Sequence, residues 1–97
     1  MTVVEQAIVR TILARHIPDR EVRAFGPRIS GEAKKASKLK LAIMGNKPLP
    51  LRKLAAVEKD FSASVLPFKV EVTDWTAATE RLRKSIERGS VVVQSKD

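Results

Sequence analysis

An α/β fold, a small sheet covered by helices, is predicted for this 97-residue chain by two patterns that alternate along it. Three segments place apolar residues at every second position, as half-buried strands do: Val22 and Ala24, then Leu39, Leu41 and Ile43, then Phe68, Val70 and Val72. Three others repeat at the spacing of an amphipathic helix: Val4, Ile8 and Ile12, then Leu51, Leu54, Val57 and Phe61, then Ala78, Leu82 and Ile86. Each element buries only one side, so strands and helices in alternation must pack face to face.

Taken in order, Thr2-Val3-Val4-Glu5 reads as a capping box that starts the first helix. Val9 and Leu13 widen its apolar stripe, and Pro18-Asp19 marks its end. Residues 21–25 form a short strand with Arg23 opposite Val22 and Ala24, and Gly26-Pro27 is a turn. Residues 28–35 are polar, with weak periodicity, and are expected as a short helix. The next strand sets Lys38, Lys40 and Ala42 against Leu39, Leu41 and Ile43, until Gly45-Asn46-Lys47-Pro48 breaks it. A helix from Leu51 to Phe61 leads to a third strand, in which Lys69, Glu71 and Thr73 alternate with Phe68, Val70 and Val72. Asp74 or Thr76 is expected to cap the last helix, and Gly89 to end it in a left-handed conformation. Val91-Val92-Val93 is expected as a short edge strand.

A chain of this length supports one core, so residues 1–97 are expected to be a single domain. Hydrophobic content of 43% argues for a globular chain. The absence of cysteine excludes disulfides and thiolate metal sites. No apolar run nears the roughly 20 residues needed to span a bilayer, and the N-terminus lacks the charge and apolar pattern of a signal peptide. A cytoplasmic location with no membrane contact is the expectation. The net charge of +8 points to an anionic partner.

Two stretches carry more specific information. The first runs Ala24-Phe25-Gly26-Pro27-Arg28-Ile29-Ser30-Gly31, then through a basic stretch to Ser37-Lys38-Leu39-Lys40-Leu41-Ala42-Ile43. The second is Leu66-Pro67-Phe68-Lys69-Val70-Glu71-Val72-Thr73-Asp74-Trp75. Together they resemble the minimal nucleotidyltransferases of the polymerase-β-like superfamily. Their hallmark is Gly-Ser, ten residues, Asp-x-Asp, then a third acid on a later strand. The match runs from about residue 20 to the C-terminus, where Ile86-Glu87-Arg88 and the closing valines also fit. The resemblance implies a mixed sheet packed against helices, use of magnesium and ATP, family acids at positions 38, 40 and 71, and a phosphate-binding turn at Gly26, Pro27 and Arg28.

This sequence departs from that pattern where the chemistry resides. Ten residues separate Pro27 from Lys38, so Lys38 and Lys40 stand where the paired aspartates belong, and only Glu71 keeps an acid. Aspartates at both positions would lower the net charge from +8 to +4, so half of the excess is local to this cleft. Magnesium demands hard oxygen ligands. An ammonium can ligate only after losing its proton, which costs a lysine about 4 to 5 kcal/mol at pH 7. Pro27 replaces the motif serine and offers neither hydroxyl nor N–H. Gly26, Arg28, Lys34 and Lys35 remain as a basic rim. The expectation is therefore no metal site and no cofactor for this sequence, with Glu71 pairing instead with Lys40 across neighbouring strands for roughly 0.2 to 1 kcal/mol.

Proteins of this family are commonly encoded beside a HEPN-domain protein, and act as antitoxins that adenylylate or simply bind a HEPN ribonuclease. The leading expectation is thus a catalytically degenerate nucleotidyltransferase-fold protein in a hetero-oligomer with a HEPN partner. Two alternatives stay open: a variant of an active magnesium-dependent enzyme that moves AMP from ATP to a protein, and a basic nucleic-acid-binding module. Few aromatics and no binding motif weigh against the last, beyond weak nonspecific contact. His16, the one histidine, has no motif partner and is expected to be structural. Trp75 is expected as a packing anchor, and Arg81, Arg83, Lys84 and Arg88 as a solvated helix face.

Overall fold

The computed structural model describes residues 1–30 and 38–96. Its elements run α1 (Val3–His16), β1 (Val22–Phe25), α2 (Pro27–Ser30), β2 (Leu39–Ile43), α3 (Leu51–Ala63), β3 (Val70–Asp74), a 3₁₀ turn (Trp75–Ala77), α4 (Glu80–Arg88) and β4 (Ser90–Gln94). The four strands form one mixed sheet in the order β3-β2-β1-β4. β1 is antiparallel to both β2 and β4, while β2 and β3 are parallel. A parallel pair needs a crossover long enough to return the chain to the same end. The segment carrying α3 provides it.

α1 opens with the predicted box. The Thr2 hydroxyl accepts the Glu5 amide at 3.1 Å, and the Glu5 carboxylate accepts the Thr2 amide at 2.9 Å. Val9, Ile12 and Leu13 then meet Val22 and Ala24 of β1, Leu39, Leu41 and Ile43 of β2, and Val57 and Phe61 of α3. Each such side chain contributes about 1.5 to 3 kcal/mol by leaving water. α1 and α3 therefore share one face of the sheet. Val4 and Leu51, expected on the apolar stripes, lie outside this core at 69% and 83% exposed.

The other face is only half covered. Ile86 of α4 is fully buried against Phe25 and Ala42, with Leu82, Met44 and Trp75 around them. The end of this face where β1 finishes and β2 begins carries Lys38, Lys40 and Glu71.

Several boundaries differ from the sequence expectation. β3 begins at Val70, so Phe68 precedes the strand, although it still packs against the core with Val70 and Val72. Thr79, not Asp74 or Thr76, caps α4 by accepting the Leu82 amide, because the 3₁₀ turn intervenes. Gly89 lies at φ −161, extended backbone rather than left-handed, since the chain passes directly from α4 into β4. The polar segment 28–35 starts as α2; its residues 31–35, including Lys34 and Lys35 of the expected basic rim, lie outside the described residues, as does Ser37.

Candidate functional site

The site positions marked in the sequence converge where β1 turns away from the sheet. Gly26 ends β1 at φ +84, a left-handed conformation that a residue with a Cβ resists. A Cβ at this position would stand 3.0 Å from Lys40 Cδ and 3.4 Å from Lys40 Cγ, so the turn rests on the Lys40 stem. Pro27 follows as the first residue of α2, where its missing N–H breaks no helical bond. The Ile29 amide donates back to the Gly26 carbonyl at 3.0 Å and closes the turn. The Arg28 guanidinium lies over the Phe68 ring, 4.1 Å from its centroid, and so links the turn to the approach of β3.

Leu39, Leu41 and Ile43 enter the main core, so Lys38 and Lys40 leave β2 on the other face. Lys38 is exposed and Lys40 half-buried. Register makes Lys40 the cross-strand neighbour of Phe25 on one side and Glu71 on the other. The three positions matching the family acids are therefore brought together with Gly26. The expected Lys40–Glu71 pairing is realised in register only. No ion pair within 4.0 Å joins the two among the described residues. The sequence reading passed over Lys69. Its carbonyl accepts the Leu39 amide at 2.9 Å, which aligns it beside Lys38. Its alternation with Phe68 and Val70 was visible, but the parallel register that sets it there was not.

This donor set does not fit magnesium. Two ammonium groups and one exposed carboxylate replace the oxygen ligands the ion requires, and repulsion adds to the missing lone pairs. Among the described residues, no group of three or more His, Asp or Glu side chains gathers elsewhere to substitute for it.

The Asp74-Trp75 pair beside the site is structural. Burial raises the Asp74 carboxyl, but hydrogen bonds outweigh that and hold it below its ordinary range. Its two oxygens accept the Leu49 amide at 2.8 Å, and the Thr76 amide and hydroxyl each at 3.0 Å. Asp74 thus ties the loop leading into α3 to the turn after β3. Trp75 packs in the smaller core, and its carbonyl accepts Arg83 Nε at 3.1 Å and a second guanidinium nitrogen at 2.9 Å. Arg83 also lies 4.8 Å from the Trp75 centroid, and Lys84 pairs with Glu80 at 3.4 Å. The basic face of α4 is therefore partly internal rather than wholly solvated. His16 meets Asp60 at 2.6 Å, with Arg15 at 3.1 Å from the same oxygen, and joins α1 to α3.

Comparison with known proteins gives a consistent picture. No family model matches the chain. A Haemophilus influenzae protein named "probable protein adenylyltransferase MntA" is 43% identical over 93 residues, spanning 96% of this chain and 82% of its own length. The crystal structure of a toxin-antitoxin with AMP-PNP superposes with a TM-score of 0.78 at 17% identity, over 95% of this chain and 74% of that one. A tri-AMPylated Shewanella oneidensis HEPN toxin in complex with MNT antitoxin gives 0.74 at 16% identity, over 99% and 74%. At those identities the two solved structures speak to the fold.

Proposed function

Because this chain belongs to the MntA family of minimal nucleotidyltransferases, we propose that it serves as the antitoxin-like binding partner of a HEPN-domain toxin and has lost nucleotidyl transfer. The observation that carries the reading is the site itself. Lys40 lies between the Gly26 turn and Glu71, with Lys38 two positions before it on the same face. Nucleotidyl transfer in this fold depends on cations that neutralise the triphosphate and align the attacking oxygen. Residues that repel such cations cannot place them, and Pro27 withholds the hydroxyl and amide a serine would offer. The role left to such a scaffold is contact.

Support for the partner comes from the relatives, whose solved complexes pair a toxin with an antitoxin of this fold. This surface also suits one. Met1, Val91 and Val92 are exposed apolar residues lining one concavity between the start of α1 and β4, and Val3 and Val4 are exposed nearby in sequence. Among the described residues of α4, Arg81 and Arg88 join no ion pair, and they offer charge complementarity to an acidic surface. A stable complex buries about 1,200 Å² or more.

The name of the 43% identical relative favours a second reading, retained transfer of AMP to a protein. Two experiments separate them. Co-expression with a candidate HEPN-domain protein and sizing at moderate salt should give a single complex; separate elution of two folded proteins overturns the partner reading. Label transfer from ATP decides the catalytic question independently.

A further inference from the structure

We propose that Lys38, Lys40 and Lys69, gathered beside the Gly26 turn, form a metal-independent polyphosphate site, which takes the free triphosphate anion and is weakened rather than strengthened by magnesium. The proposal rests on the geometry of this cleft and not on the partner reading.

Phe68, Val70 and Val72 pack against the same core as Leu39, Leu41 and Ile43. Glu71 therefore leaves β3 on the face that Lys40 occupies on β2, and Lys38 and Lys69 stand side by side just before the two strands. Lys40 is opposite Glu71, and the Leu39-to-Lys69 hydrogen bond aligns Lys38 with Lys69. These four side chains form a two-by-two array with three positive charges and one negative. None of the four joins an ion pair within 4.0 Å among the described residues. Like charges on neighbouring strands destabilise a sheet. An anion seated among them relieves that repulsion, so it binds the folded chain preferentially and raises the melting temperature.

Lys40 is also preorganised. Its stem runs past the Gly26 turn, where a Cβ would stand 3.0 Å from Lys40 Cδ, so the turn narrows the space open to that stem before any ligand arrives. Fixing a lysine stem in advance lowers the entropy lost on binding. Polyphosphate is the matching chemistry, because a chain of adjacent anionic groups can meet several ammonium donors at once. Magnesium chelated by that chain removes charge from the ligand and is itself repelled by the lysines. The sign of the metal dependence is thus reversed from that of a carboxylate site.

Calorimetric titration of the purified full chain with ATP, inorganic tripolyphosphate and AMP, each in EDTA and in excess magnesium, tests this. ATP and tripolyphosphate should bind comparably in EDTA, AMP much more weakly, and magnesium should weaken ATP by roughly tenfold, the worth of one charge-assisted contact. Lys38→Ala and Lys69→Ala should each cost roughly tenfold by the same measure. Lys47→Ala, at the far end of β2, should cost nothing. Thermal melts establish that each variant is folded, and Lys69→Ala, outside the strand, keeps the test valid if Lys38→Ala unfolds. Binding that requires magnesium overturns the proposal. So does binding of ATP without tripolyphosphate, equal loss in Lys47→Ala, or no binding by the folded chain.

Discussion

Replacing Asp74 by asparagine keeps the side-chain shape and removes the charge that three donors converge on. In the parent, a carboxylate only 9% exposed accepts the Leu49 amide on one oxygen and the Thr76 amide and hydroxyl on the other. Asparagine offers one oxygen and one NH₂, so either Leu49 or Thr76 faces a donor instead of an acceptor. A buried donor without a partner costs about 1 to 3 kcal/mol, and loss of charge assistance adds to it. A total near 2 kcal/mol should lower the melting temperature by about 8 to 16 °C in a domain of this size. The difference should also depend on pH. The Asp74 carboxyl titrates below its ordinary value of 3.8 in the folded chain, so folding favours its ionised form. Its contribution is complete above the unfolded value and disappears as pH falls through the folded one. Urea unfolding of parent and Asp74→Asn at neutral pH and in acid measures this. The gap should narrow steadily below pH 4. A variant within about 0.5 kcal/mol of the parent at neutral pH, or a gap independent of acid, refutes the role assigned to Asp74.

Three further perturbations follow from the same structure. Gly26→Ala should destabilise by about 1 to 2 kcal/mol through the left-handed φ of +84, with part of any excess relieved in a Lys40→Ala background, as a double-mutant urea cycle would record. Ile86→Ala should cost about 2 to 5 kcal/mol, since Ile86 is the fully buried anchor of α4 against Phe25 and Ala42; circular dichroism melts report it. Asp60→Asn should lower the melting temperature at neutral pH and match the parent in strong acid. The hydrogen bond from His16 leads the causes that hold the Asp60 carboxyl below its ordinary range, so its contribution is lost as pH falls.

The strands and main helices were legible because their apolar period survives in sequence: Leu39, Leu41 and Ile43 alternate, and Val57 and Phe61 fall one helical turn apart, and all five are buried. The ends were less so. Val4 and Leu51 fit the helical period, yet both are exposed, which only tertiary placement decides. Gly89 looked like a left-handed cap because glycine permits one, but the immediate start of β4 demanded extended backbone. Arg83 read as solvated because its ligand is a backbone carbonyl, which leaves no trace in residue type. The structure brings Gly26, Lys40 and Glu71 of the motif frame close together. The parallel register that sets Lys69 beside Lys38 is a long-range property, set by how α3 returns the chain, and local pattern does not carry it.

The central claim, a nucleotidyltransferase scaffold in which lysines have displaced the metal ligands, is tested most directly by one measurement. The purified chain is incubated with a co-expressed candidate HEPN-domain protein, magnesium and ATP labelled in the α-phosphate, and label on protein is counted against an EDTA control. The account predicts no magnesium-dependent label on the partner or on the chain itself. Metal-dependent transfer above the EDTA control, abolished by Glu71→Gln, would contradict it.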